Sequence, residues 1–267
     1  MHSPGSNALM ETIMLIAITR EISPAFNRCE LTYLERQPID LELARRQHHR
    51  YEQCLSELGC HVHRLPAEAD LPDSVFVEDV AIVLDELAII TRPGAESRRA
   101  ETTSVARALG PYRYLRYLQP PAVLDGGDVL RVGKMIFVGL SSRSNPAALE
   151  QMAAWLEPLN YKLAGIPVTG CLHLKSAVTQ VSRDMLLVNP EWVDVNIFQG
   201  MNLIEVDASE PHAANALLVG DRVIYPSKYP ATQKRLESQG LSVIEVEVSE
   251  LIKAEGAVTC CSLIFTG

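Results

Sequence analysis

The chain has 267 residues, 47% apolar and 21% charged, with a formal net charge of −9. That composition supplies ample core and excludes a disordered or fibrous chain. The negative balance argues against a nucleic-acid partner, because phosphate contacts need clustered Lys and Arg. No apolar run reaches the roughly 20 residues that span a bilayer, so no membrane span is expected.

In chain order, residues 1–12 read as a loose tail with neither a basic leader nor a small-residue cleavage site, so the cytoplasm is the expected location. LIAITR, from Leu15, reads as a first strand, ELARRQHHRYEQCLSELG as a helix and HVHRL as a strand. A weak repeat follows, in copies that begin at Glu78, Gly126, Leu174 and Asn215. Each copy is an apolar stretch, a tight turn (LDE, VGK, SRD, VGD) and a second apolar stretch, the pattern of a β-hairpin. Helical patterns SRRAETTSVARALG, NPAALEQMAAWLEPL and TQKRLESQG lie between copies, and single strands such as YRYLRYL, LIEVDA and LSVIEVEV follow. Each unit therefore reads strand–strand–helix–strand. The N-terminal elements and the final CSLIFTG form a fifth unit split across the termini. No Gly/Ser/Pro-rich linker divides the chain, so residues 1–267 read as one domain.

Such units cannot bury their apolar faces singly, but five of them arranged around an axis can. The residues that open each first strand then converge: Asp79, Asp125 or Asp128, His173, Asn215 and Cys260. The alternative is a mixed α/β sandwich with unrelated hairpins.

Six cysteines without a secreted spacing framework point to reduced thiols. Of the adjacent pair Cys260 and Cys261, one can be core while the other faces a site, and Gly256 upstream marks a turn that places Cys260 at a strand mouth. A thiol with a pKa of about 8.5 needs a nearby cation or base to react near neutrality. His173, in GCLHLKSAV, is the best base candidate. Asp73, Glu78 and Asp79 in LPDSVFVEDV and Asp125 and Asp128 in LDGGDV are a concentration of acids that needs a cation if they share a pocket, either a metal or a guanidinium. Arg98 and Arg143, at or just after hairpin turns, can fork a carboxylate. Acids at one end and arginines at the other match an amino acid with a cationic side chain. Metal-type spacings are weak, since Cys54, Cys60, His61 and His63 scatter over two faces. A soft-metal site of Cys171, His173, Cys260 and Cys261 in a non-enzymatic binding protein is the reading from a different class.

The segments LPDSVFVEDVAIV, ITRPGAESRRAE, LDGGDVL, SSRSN, LHLKS and TCCSLI, in this order, closely resemble the dimethylarginine dimethylaminohydrolase family of the pentein (guanidino-group modifying) superfamily, from about Ile18 to Phe265. The resemblance implies an α/β fold, the five-bladed α/β propeller of pseudo-symmetric ββαβ units around a central active site. It implies hydrolysis of Nω,Nω-dimethyl-L-arginine, and of the monomethyl compound, to L-citrulline through a covalent thiouronium intermediate. Cys260 would be the nucleophile, His173 the general acid/base and Asp125 the third catalytic residue, where some family members carry Glu. Asp79, with Glu78 beside it, would hold the guanidinium. Asp73 and main-chain carbonyls near Leu31 and Ala254 would meet the α-ammonium, Arg98 and Arg143 would clamp the α-carboxylate, and Phe76 would complete the substrate pocket. No cofactor is expected, zinc acting only as an inhibitor, and the partners are the small-molecule substrate and a second copy in a homodimer. The competing enzyme reading is another pentein, of arginine deiminase or citrulline hydrolase type.

Overall fold

The computed structural model of the protein describes residues 14–267; the tail expected over residues 1–12 lies outside them. Strand β1 (Leu15–Arg20) leads to helix α1 (Leu41–Glu57), where the Asp40 carboxylate accepts the Leu43 N–H at 3.0 Å and so satisfies one of the free amides of the first turn. Strand β2 (Cys60–Leu65) follows. The second unit is β3 (Ala81–Val83), β4 (Leu87–Ile90), α2 (Thr102–Leu109) and β5 (Tyr114–Tyr117). The third is β6 (Val129–Val132), β7 (Met135–Leu140), α3 (Pro146–Leu156) and β8 (Lys162–Pro167). A one-turn helix, α4 (Leu174–Ala177), opens the fourth, which continues through β9 (Val178–Gln180), β10 (Met185–Val188) and β11 (Asn202–Glu205). The last elements are β12 (Leu217–Val219), β13 (Arg222–Pro226), α5 (Pro230–Ser238), β14 (Ser242–Val246), α6 (Ser249–Ile252) and β15 (Leu263–Thr266).

Among the described residues the strands form five three-stranded sheets, β3-β4-β5, β6-β7-β8, β9-β10-β11, β12-β13-β14 and the split sheet β15-β1-β2. In each, the middle strand runs antiparallel to the inner strand and parallel to the outer one. This is the five-bladed arrangement expected from the repeat, with the fifth blade closed by pairing of Leu15 with Thr266 and Ile18 with Leu263. The inner strands β3, β6, β9, β12 and β15 all line one axial cavity of about 390 Å³.

Two details differ from the expectation. The fourth blade has no helix between β10 and β11, only a 3-10 turn at Val195–Phe198. Pro190, the Asp194 carboxylate taking the Asn196 N–H at 3.0 Å, and Gly200 at φ 86° favour local turns over a helix there. Phe198, 1% exposed, supplies the burial that the helix gives in other blades. Several expected strand-opening residues sit instead in helical turns ahead of the strands, at Val77–Val80, Gly126–Asp128 and α4. Among the described residues no helix is long and apolar enough to cross a membrane.

Helix α1 buries Ala44, Tyr51 and Leu55, a spacing that keeps them on one face. Tyr51 also reaches across to Ser262, its hydroxyl 2.6 Å from the serine oxygen, which ties the helix to the start of β15. Leu55 is fully buried. Leu55→Ala is expected to cost about 3 kcal/mol by the usual truncation-plus-cavity sum, read in denaturant unfolding, with turnover per folded molecule unchanged. A loss below about 1 kcal/mol would show that α1 does not depend on this packing.

Candidate active site

Glu78 and Thr259 line the axial cavity, whereas their chain neighbours Asp79 and Cys260 line a separate, tighter pocket together with His173. The turns that carry these residues approach closely because LDGGDV places two glycines at their meeting point. A Cβ at Gly126 would overlap the Glu78 carbonyl oxygen, and one at Gly127 would lie 2.5 Å from His173 Nδ1 and 2.9 Å from Asp79 Oδ1. With no side chain there, the Gly127 N–H donates to Asp79 Oδ1 at 3.1 Å.

His173 bridges two buried carboxylates. Its Nε2 is 3.1 Å from Asp125 Oδ2 and its Nδ1 is 3.8 Å from Asp79 Oδ1. Burial alone would lower the imidazole pKa, but Asp79 and the hydrogen bond to Asp125 outweigh it and raise it to about 9. The ring is therefore an imidazolium near neutrality. Asp79 feels the reverse balance: burial opposes ionisation, yet Arg98 and His173 hold its carboxyl below the usual range. Asp125 uses its other oxygen to accept the Gly94 N–H at 2.8 Å.

Cys260 is half-buried and its neighbour Cys261 fully buried, so one thiol faces the pocket and the other packs in the core. The Cys260 carbonyl accepts the Glu78 N–H at 3.1 Å. Thr259 is fixed by donating to Glu78 Oε2 at 2.8 Å and by Asn215, which accepts its N–H at 3.2 Å. Lys175 donates to Glu78 Oε1 at 2.6 Å, so Glu78 braces the nucleophile segment from the axial side. Burial first, then Glu78 and Asp79, push the Cys260 thiol well above its ordinary range.

The open choice between Asp125 and Asp128 is resolved by geometry. Asp125 touches His173, while Asp128, fully buried, accepts the Leu174 N–H at 2.9 Å and the Ser141 and Ser144 hydroxyls at 2.6 Å each. Asp128 thus ties the turn carrying His173 to the loop carrying Arg143. Nothing but its place as the second acid of LDGGDV hinted at this role.

Four expectations need correction. Arg98 does not stand apart from the acids: Nη1 donates to Asp79 at 2.6 Å, Nε and Nη2 grip Glu101, and Nη2 also reaches the Asp73 and Phe76 carbonyls. The acid three residues on, Glu101, was a readable helical partner. It is held at about 7, because burial outweighs the attraction of Arg98. Second, Arg143 also leans towards the acids, 3.7 Å from Asp125, with Nη2 donating to Thr32 Oγ1 at 2.9 Å, so acids and arginines intermix. Third, the Glu78 side chain points away from the pocket, because successive residues of a helical turn diverge. Fourth, the lining comes from Glu30, whereas Leu31 packs against the core cluster around Phe76. Asp73, Phe76 and Ala254 line the pocket as expected, and Asp73 accepts the Glu30 N–H at 3.0 Å. Leu172 of LHLKS, Glu255 and Gly256 also line it; of these only Gly256 was singled out, as a turn, and Glu255 carries no motif.

Asp79, Asp125 and His173 bring one ligand atom each within 4.8 Å of one another, close enough to share a metal ion. Their lone pairs are already engaged by Gly127, Arg98, Gly94 and the imidazolium, a poor donor set. No three of Cys171, His173, Cys260 and Cys261 come within ligating reach among the described residues.

Residues 27–265 match the family described as "N,N dimethylarginine dimethylhydrolase, eukaryotic". The chain is 37% identical to the N(G),N(G)-dimethylarginine dimethylaminohydrolase of Streptomyces coelicolor over 92% of its length and 95% of the relative's. It is 36% identical to the same-named protein of Pseudomonas aeruginosa over 85% and 90%. The crystal structure of a Cys-to-Ser variant of the Pseudomonas aeruginosa protein, complexed with citrulline, superposes with a TM-score of 0.90 at 34% identity, covering 94% of this chain and all of that one. With its five blades, its thiol–imidazole–carboxylate pocket and matches that span nearly the whole chain, the protein belongs to the dimethylarginine dimethylaminohydrolase family of the pentein fold.

Proposed function

We propose that this protein hydrolyses Nω,Nω-dimethyl-L-arginine to L-citrulline and dimethylamine, and the monomethyl compound to citrulline and methylamine, with Cys260 as nucleophile, His173 as acid and base, and no metal. The observation that carries the reading is the grouping of Cys260, Asp79 and His173 in one tight pocket, with the imidazolium held between Asp79 and Asp125. The relatives that share family, fold and coverage supply the substrate class.

A guanidinium is stabilised by resonance, so attack on it needs a strong nucleophile held in line. Asp79 and Asp125 orient the planar cation, and its positive charge beside the sulfur offsets the fields of Glu78 and Asp79 that keep the thiol protonated. The thiol therefore ionises with substrate present. Its sulfur adds to the guanidinium carbon. His173, already protonated, passes its proton to the dimethylamino nitrogen; the C–N bond breaks and a thiouronium ester of Cys260 remains. The imidazole, now neutral, takes a proton from water as the oxygen bonds to that carbon, and collapse of the adduct expels the thiolate and frees citrulline. Holding both ends of the substrate contributes about 7 kcal/mol or more through effective molarity. Arg143 and Asp73 hold the amino-acid end, with Arg98 mainly fixing Asp79.

Cys260→Ser is expected to abolish citrulline release from asymmetric dimethylarginine with the fold intact, and Cys261→Ser to leave most of it, in assays run with a chelator. Reversal of the two effects, or activity lost to the chelator, would overturn the assignment. Arg143→Ala should raise KM about 30-fold or more with a smaller change in kcat, as expected for a charge-assisted contact made in the ground state. Arg98→Ala should instead destabilise the fold by about 3 kcal/mol or more, since it leaves Glu101 buried without its cation and removes one of the two cations beside Asp79; a stable variant with only a KM defect would return Arg98 to direct carboxylate binding. The raised thiol pKa fixes the sign of a further effect. At any pH below it, less thiolate is present than for a free cysteine, so inactivation of the free enzyme by iodoacetamide should keep climbing, about tenfold per pH unit, through pH 8.5. A plateau at or below that point contradicts the shift.

A further inference from the structure

Residues 32–38 cross the surface beside the pocket with every residue exposed, including Tyr33 at 52% and Leu34 at 39%. The segment has no regular structure and buries no apolar side chain, so hydrogen bonds must hold it. Arg36 holds the Asn27 and Cys29 carbonyls and Lys253 the Pro38 carbonyl, but the bonds to the segment's backbone amides all come from one carboxylate. Glu255 Oε1 accepts the N–H groups of Thr32, Tyr33 and Leu34 at 3.0, 2.5 and 2.6 Å, and its Oε2 accepts Thr32 again at 3.0 Å. Three successive amides around an anion form a backbone nest. Glu255 stands between Ala254 and Gly256, and all three line the pocket. It is also one of two non-glycine residues described with a left-handed backbone, at φ 58°. That conformation is costly for any side chain with a Cβ, so a glutamate there calls for a compensating role.

We propose that Glu255 is a positioning residue for substrate binding: its carboxylate latches the 30–34 segment over the pocket and so sets affinity for the amino-acid end of the substrate. This rests on the proposed function, because two of the three other ties to the segment come from residues given to that end, the third being Ser97 donating to Glu30 Oε1 at 2.6 Å. Asp73 accepts the Glu30 N–H and Arg143 donates to Thr32 Oγ1. Among the ties to the segment's backbone amides, the Glu255 latch is the one that a ligand's ammonium and carboxylate do not compete for. It places Glu30 against the pocket before substrate arrives.

Glycine at position 255 separates a latch from a merely structural residue. Glu255→Gly relieves the left-handed backbone and deletes the carboxylate, whereas Glu255→Gln keeps an amide oxygen able to accept the same N–H groups. Steady-state kinetics with asymmetric dimethylarginine should show KM raised about tenfold or more in Glu255→Gly, kcat within about threefold, an unchanged or higher Tm, and near-parental KM in Glu255→Gln. In parallel, trypsin should cut after Arg36 at least about tenfold faster in Glu255→Gly than in the parent or Glu255→Gln. A KM within twofold of the parent, or a lowered Tm with unaltered cleavage at Arg36, would overturn the latch. If the parent releases no citrulline, the proposed function fails, and the Arg36 cleavage rates alone decide whether the latch exists.

Discussion

An imidazolium lodged between two buried carboxylates is the interaction on which the rest of the pocket depends. Asp79, Asp125 and His173 come from the turns that open three different blades, so the arrangement exists only because the blades close on a common centre. Each member is expensive to bury alone and tolerable in company. Arg98 takes the free oxygen of Asp79, and the Gly94 amide takes that of Asp125. The two glycines of LDGGDV are the steric condition for this contact, and Asp128 is its brace.

Around this centre the acids outnumber the cations. Burial holds the carboxyls of Asp73 and Asp128 above their usual range, and that of Glu101 near 7, even with Arg98 and His173 close by. A further planar cation relieves the imbalance, and relieves the thiol with it. Under the proposed function recognition and activation are one event: the charge that identifies the substrate is the charge that ionises the Cys260 thiol. A solvent electrophile without that charge meets a protonated sulfur.

The ring of blades was legible because a hairpin is a local pattern, and turn residues recurring at similar spacing leave few ways to bury the apolar faces. The split fifth blade followed from the same count. The missing helix of the fourth blade was not legible by analogy with its neighbours, because Pro190, Asp194 and Gly200 act locally against it. Cys260 and His173 were singled out by residue type and place, whereas the choice between Asp125 and Asp128 beside His173 was left open by the residues and needed the fold. The division of labour between Glu78 and Asp79 was not legible either: it depends on those two residues lying in a helical turn, which sends adjacent side chains to opposite sides of the centre. The ion pairs of Arg98 were not legible for a related reason, since its partners are set by how deeply it sinks, and periodicity does not report depth. Glu30 and Glu255 act through loop backbone, where no motif exists to read.

The pairing of β1 with β15 joins the earliest strand of the described chain to the latest. The reactive sulfur lies three residues ahead of β15, so it reaches its acids only when the ring has been fastened. The pocket is thereby incomplete until the ring has closed.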